Sequence, residues 1–309
     1  MKRSCILIII LFTFIESKEQ WIKQISGIFH DLYSVSFTDP STGWAVGAYG
    51  TIIKTTNGGI LWRKQTSSTA NSLSSVYFTD PGTGYAVGND GTILKTTNGG
   101  SLWTKQSSGN TNSLFSVYFP SKDTGYISGE GGIILKTTNG GTLWTRLNSG
   151  ISSTLYSVYF LDANTGFAVG NSGTIIKTTN GGIQWNSELS GVSSNLFSVC
   201  FPNATTAYIV GYNGTILKTI DGGVQWAKQA SGTLKTLYSV SFIDQDDGYA
   251  VGDNGTILTT NNGGVLWTNQ TSGTENPLYS ICITHQHAGY TVGYDFEKKA
   301  GIVLTLKNR

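Results

Sequence analysis

Tryptophan recurs along this chain at a fixed interval. Trp21, Trp62, Trp103, Trp144, Trp185, Trp226 and Trp267 stand 41 residues apart, and a second aromatic column, Trp44, Tyr85, Tyr126, Phe167, Tyr208, Tyr249 and Tyr290, keeps the same interval. Two columns of seven at one period point to stacked repeats, each of which buries its apolar faces against its neighbours.

Each repeat reads as four short strands. In the first, Leu32–Phe37 alternates β-formers with small polar residues, Trp44–Gly47 follows a turn-rich stretch, Thr51–Thr55 is rich in β-branched residues, and Trp62–Thr66 ends the unit. Strands two and three meet at Ala48-Tyr49-Gly50, with copies such as Asn89-Asp90-Gly91, Tyr212-Asn213-Gly214 and Asp253-Asn254-Gly255. Asn/Asp-Gly pairs favour the type I′ hairpin. Strands three and four meet at a Thr-Thr-Asn-Gly-Gly phrase. Its Asn57, Asn98, Asn139, Asn180, Asp221 and Asn262 are placed to accept backbone N–H groups and fix the turn. The tryptophan that follows should bury its ring between sheets, leaving an indole N–H that needs an acceptor. No stretch after Ile15 carries a helical period of useful length.

The last repeat, from Leu278, runs out before its own tryptophan strand. The missing piece stands at the other end as Trp21-Ile22-Lys23-Gln24-Ile25, matching Trp103-Thr104-Lys105-Gln106-Ser107. The expected fold is all-β: a seven-bladed β-propeller in which the N-terminal strand completes the last blade and ties off the exposed edges.

Ahead of that strand, Lys2-Arg3 and the apolar run Cys5–Ile15 suit a secretory signal peptide over residues 1–17, with Ile15 and Ser17 at the −3 and −1 sites. The run is shorter than the roughly 20 residues of a membrane span. A secreted or periplasmic protein is expected, with a retained anchor as the alternative. No linker or change of composition divides residues 18–309, which read as one propeller, monomeric, with no membrane insertion after cleavage. A net charge of +2 argues against nucleic acid or an anionic membrane as partner. Cys200 and Cys282 occupy the same position two repeats apart, too far for a disulfide, and read as buried free thiols.

Candidate chemistry is sparse. His285-Gln286-His287 places two imidazoles on one side of an extended stretch, a pair of metal ligands or an exposed loop. Asp244-Gln245-Asp246-Asp247 is a calcium site or a solvated turn, and lacks the spacing of a calcium loop. No catalytic residue, metal or cofactor is assigned. Lys54, Lys95, Lys136, Lys177 and Lys218 recur in the third strand until Thr259 breaks the series. They read as snorkelling side chains with wet amines, or as a cationic ring facing acidic partners.

Repeats differ most at the tips of the second hairpin: Tyr49, Asp90, Glu130, Ser172, Tyr212 and Asp253. The seventh adds five residues there, in a segment that includes Asp295 and Phe296. These tips share a face with the blade-to-blade links, and the Asn-Gly-Gly turns take the opposite face. A mixed aromatic and acidic rim suits protein binding; neutral drift of exposed turns explains the same variation.

The turn phrase resembles the Asp-box (BNR) repeat, with Asn usually in place of Asp, as in Thr96-Thr97-Asn98-Gly99-Gly100-Ser101-Leu102-Trp103. The fuller unit from Gly84 to Trp103 is similar to the photosystem II stability/assembly-factor-like propeller family. That resemblance implies a non-enzymatic scaffold holding protein complexes as they assemble. The rival comes from Asp-box sialidases and would make this a glycan-binding or glycan-cleaving propeller. A sialidase needs three arginines, whereas only Arg63 and Arg146 stand away from the chain ends, both in outer strands. A simple carboxylate pair stays open. Carboxylates lining the central channel would favour the rival; small polar side chains such as Ser34, Ser75 and Ser116 would favour the scaffold.

Overall fold

The computed structural model describes residues 20–284 and 288–307. Residues 1–17, the expected signal peptide, and the His285-Gln286-His287 stretch lie outside them. The described residues form seven four-stranded antiparallel sheets. Blade 1 comprises Leu32–Phe37, Gly43–Gly47, Ile52–Thr55 and Arg63–Gln65, and the next five blades repeat it at 41-residue steps. The innermost strand of each blade packs on that of the next, and blade 7 packs on blade 1, so the ring is closed.

Closure follows the expected route. Blade 7 takes Leu278–Ile283, Gly289–Asp295 and Ala300–Lys307 from one end of the chain and Gln20–Ile25 from the other. The last two pair antiparallel in continuous register from Gln20↔Lys307 to Ile25↔Ile302.

Seven apolar clusters hold the ring, one at each interface between blades. Between blades 1 and 2, for example, Trp44, Val46 and Ile52 meet Leu73, Val76, Phe78, Ala86, Leu94 and Trp103. Trp44 and Phe78 stack at 3.5 Å, and Trp103 meets Phe78 edge-on at 5.8 Å. The edge-on contact suits the ring quadrupoles; the close parallel stack serves chiefly to fill the interface.

Two local expectations change. In blades 1–6 the outer strand spans only three residues, Arg63–Gln65 in blade 1, because the tryptophan leaves the ladder to fill the interface. The indole N–H groups of the recurring tryptophans, from Trp21 to Trp267, are buried and find no acceptor among the described residues. In blades 1–6 their edges lie against the second glycine of the turn instead: a Cβ on Gly59 would sit 3.3 Å from Trp62 Nε1.

Candidate functional site

On one face, the repeated turn spends its polar groups on architecture. In blade 1, Thr55 Oγ1 accepts from Gly59 N at 3.0 Å, and Asn57 Oδ1 accepts from Leu61 N at 2.9 Å. Asn98, Asn139, Asn180 and Asn262 repeat the second bond. Where Asp221 stands in for Asn, the Thr219 hydroxyl and then the Gln225 N–H hold its carboxyl below the usual carboxylate range.

The lysine series belongs to this machinery: its side chains are half-buried, in keeping with the snorkelling reading, but its amines are engaged between blades. Lys54, Lys95, Lys136, Lys177 and Lys218 each donate from Nζ to the carbonyl of the first glycine in the next blade's turn, Gly99, Gly140, Gly181, Gly222 and Gly263, at 2.5–2.8 Å. Trp44 Nε1 and the hydroxyls of Tyr85, Tyr126 and Tyr208 donate to the same carbonyls. The amines are therefore latches between blades, not a ring facing a partner. Thr259 falls at the one step where the next blade has no Asn-Gly-Gly turn, since the last two strands of blade 7 come from opposite chain ends. Lys136→Met is accordingly expected to cost about 1 kcal/mol in urea unfolding, the worth of one hydrogen bond. Thr259→Lys, with no turn to latch, is expected to shift stability by less than about 0.5 kcal/mol. Equal effects of the two changes would contradict the latch.

Other motifs also prove structural. Asp244 Oδ1 accepts the N–H groups of Asp246 and Asp247, both at 2.8 Å, as Asp39, Asp80 and Asp162 do in their own turns. No cluster of three or more His, Cys, Asp or Glu among the described residues is arranged to hold a metal ion. Cys200 and Cys282 are free, and burial pushes both thiols up to about 11. Arg63 and Arg146 are exposed on outer strands.

The opposite face carries the hairpin tips. In blades 1–6 they are type I′ turns with two left-handed residues, Tyr49 (φ 54°, ψ 40°) and Gly50 (φ 66°) in blade 1. The blade-to-blade links lie beside them, as Ala48 N donating to Asp31 O illustrates. The tip residues singled out from sequence fall at two different turn positions. Tyr49, Asp90 and Ser172 occupy the left-handed position, whereas Glu130, Tyr212 and Asp253 precede it. Tyr49, Tyr212 and Phe296 are 71%, 58% and 60% exposed, and Asp90 and Glu130 are exposed as well. Asp295 is not a rim residue. It is buried, bonded to Lys23 Nζ at 2.7 Å and to Lys298 N at 3.0 Å, and so pins the N-terminal strand to the inserted segment.

At the centre, the inner strands carry no carboxylate, from Leu32–Phe37 round to Leu278–Ile283. The serines stitch blade to blade: Ser34, Ser75 and Ser116 accept from the N–H groups of Val76, Val117 and Val158 at 3.1–3.3 Å. Sequence reasoning missed a third aromatic column at the second residue of the inner strand. Phe115, Tyr156, Phe197, Tyr238, Tyr279 and Tyr33 form a half-buried collar around the axis, each ring tilted against the next at 5.1–5.7 Å. Ser74 leaves the one gap. The period of 41 was its signal. The collar lies at the tip-side end of the strands, where Leu32 pairs with Gly47. Tyr238 Oη donates to Asp253 Oδ1 at 2.9 Å. Burial pushes the Tyr279 hydroxyl up to about 12, helped by the negative charge of Asp31. Deeper in, Tyr77, Tyr118 and Tyr159 form a second arc, with rings 5.2 and 4.6 Å apart.

Comparison with known proteins is consistent with this geometry. The family model described as photosynthesis system II assembly factor YCF48 matches residues 62–150, 143–228 and 224–295. No curated protein sequence matches the chain. Solved structures of similar shape include YCF48 bound to D1 peptide, with TM-score 0.79 and 19% identity over 94% of this chain and 97% of that one. YCF48 from Cyanidioschyzon merolae gives TM-score 0.75 and 19% identity over 93% and 98%. The WD40 propeller domain of Doa1 gives 0.74 and 13% over 93% and 97%. At these identities the likeness of the structures is one of fold.

Proposed function

This chain belongs to the photosynthesis system II assembly factor YCF48 family of propellers, and from that premise we propose that it is a non-enzymatic, exported, monomeric scaffold that holds a segment of a partner protein on its hairpin-tip face. One observation carries the choice of face. The polar groups of the Asn-Gly-Gly face are consumed in bonds within and between blades, which leaves aliphatic side chains such as Ile60 and Leu102 exposed there, whereas the tip face keeps the aromatic Tyr49, Tyr212 and Phe296 uncovered together with Asp90 and Glu130. Exposed aromatic anchors rimmed by carboxylates are what a protein-binding patch uses. A YCF48 structure with a bound D1 peptide supports a peptide as the kind of ligand. Inner strands without carboxylates weigh against the glycan-cleaving alternative. The leader over residues 1–17 supports export.

The test is affinity capture from envelope extract with the tagged protein, beside a bait carrying Tyr49→Ala, Tyr212→Ala and Phe296→Ala. A protein held by the first bait and reduced at least tenfold on the second is the expected result. Equal retention on both moves the binding surface off the tips. Amino-terminal sequencing of the native protein should begin at Lys18; a start at Met1 would retire the cleaved leader.

A further inference from the structure

We propose that the aromatic collar at the tip-side mouth of the axis receives a cationic side chain, lysine or arginine, presented by the partner segment. This rests on the scaffold role proposed above and adds the chemistry that the scaffold reads.

The collar has the two properties that a cation needs. Its six rings, Tyr33, Phe115, Tyr156, Phe197, Tyr238 and Tyr279, are half-buried and tilt by 50–59° to one another. Aromatic faces are the negative pole of the ring quadrupole and attract an ammonium or guanidinium held within about 6 Å of the centroid. Two carboxylates beside the collar have the matching sign. Asp253 is tied to the collar by the Tyr238 hydroxyl, and Asp31 precedes the inner strand that carries Tyr33. Charge from Asp31 reaches both Tyr33 and Tyr279. His30 is the cationic candidate nearest to Asp31, and its ring is taken up against Tyr49 at 4.9 Å. No lysine or arginine lies on any inner strand. An anionic side chain would meet ring faces and carboxylates together, and a neutral apolar one would leave Asp253 without a counter-charge.

The same fold already pairs ammonium groups with rings at its blade interfaces, where Lys54, Lys136 and Lys218 lie 5.0–5.5 Å from the ring centroids of Trp44, Tyr126 and Tyr208. There the carbonyl of a turn completes the ammonium's coordination; at the collar Asp253 and Asp31 would do so.

The test titrates the full chain with blocked pentapeptides Gly-Ser-X-Ser-Gly, X being lysine, arginine, norleucine or glutamate, by heteronuclear NMR. Lysine and arginine peptides are expected to bind at least tenfold tighter than norleucine and to shift resonances of the collar residues. Asp253→Asn with Asp31→Asn should remove that preference, and so should Tyr156→Ser with Phe197→Ser. Blade 2 already carries Ser74 at this position, so the serine variants are expected to fold. Equal binding of norleucine and lysine, preference for glutamate, or tighter binding of cellohexaose would each overturn the proposal. The two proposals fail separately. Capture lost on the tip variant but intact on the collar variants sinks the cation site and leaves the scaffold. Lysine peptide bound at the collar, with capture insensitive to the tips, does the reverse.

Discussion

Deletion of residues 20–25 is expected to abolish cooperative folding and leave an aggregating chain. The segment supplies the whole outer strand of blade 7, six residues in continuous register with Ile302–Lys307. Without it, the third strand of that blade becomes a long apolar edge carrying Ile302, Leu304 and Leu306, which are now buried with Trp21 in the interface to blade 6. Uncovered edges of that kind pair with other chains. Trp21→Ala alone removes a ring that is 4% exposed and meets Tyr249 edge-on at 6.1 Å. It should cost about 3–5 kcal/mol, a large share of the roughly 5–15 kcal/mol that holds most domains together. Urea unfolding and size-exclusion chromatography make the comparison. A truncated chain that stays monomeric and keeps the full-length midpoint would refute the idea that this strand closes the ring.

Gly88→Ala is expected to be among the most damaging one-carbon changes. Gly88 ends the second strand of blade 2, and a Cβ there would fall 1.9 Å from Ser72 O. That carbonyl is not free to retreat, because it accepts the N–H of Asn89 at 3.0 Å and so docks the hairpin tip onto the incoming link. The same close approach recurs at Gly47, Gly170 and Gly252, at 1.8–2.0 Å from the link carbonyls of Asp31, Thr154 and Thr236. The clash is with backbone, so the loss should be about 3 kcal/mol or more, at the upper end for overpacking. Gly109→Ala is the control. It sits at φ +67°, and a Cβ there would meet nothing within 4 Å, so only its left-handed conformation opposes the change, at about 1–2 kcal/mol. Similar losses for both in thermal unfolding would mean that backbone freedom, not contact, makes Gly88 necessary.

Much of this architecture could be read from spacing. The period of 41, the missing last strand and the Asn-Gly pairs led to seven blades, to ring closure through Trp21–Ile25 and to type I′ tips, and each is present. Asn57 and its copies cap their turns as their chemistry requires. These contacts are legible because they lie within one repeat, a few residues apart.

Contacts that cross between repeats were harder to assign. Lys54 to Gly99 and Tyr85 to Gly140 span 45 and 55 residues; a periodic lysine looks the same in sequence whether it faces water or a neighbouring carbonyl. Thr259 interrupts the series in the sequence, and the structure shows that blade 7 lacks the turn that a lysine there would reach. Asp295 read as part of an exposed insertion, whereas its partner Lys23 stands 272 residues away.

Fold class, number of blades, turn types and the strand that closes the ring are written in the chain's spacing, because each follows from periodicity and from local backbone preferences. Which periodic side chains face the axis, which latch one blade to the next and which remain open to a partner depends on how the blades meet in three dimensions. Closing the ring brings seven equivalent positions to a common centre, and that convergence turns a column of half-buried aromatics into a collar.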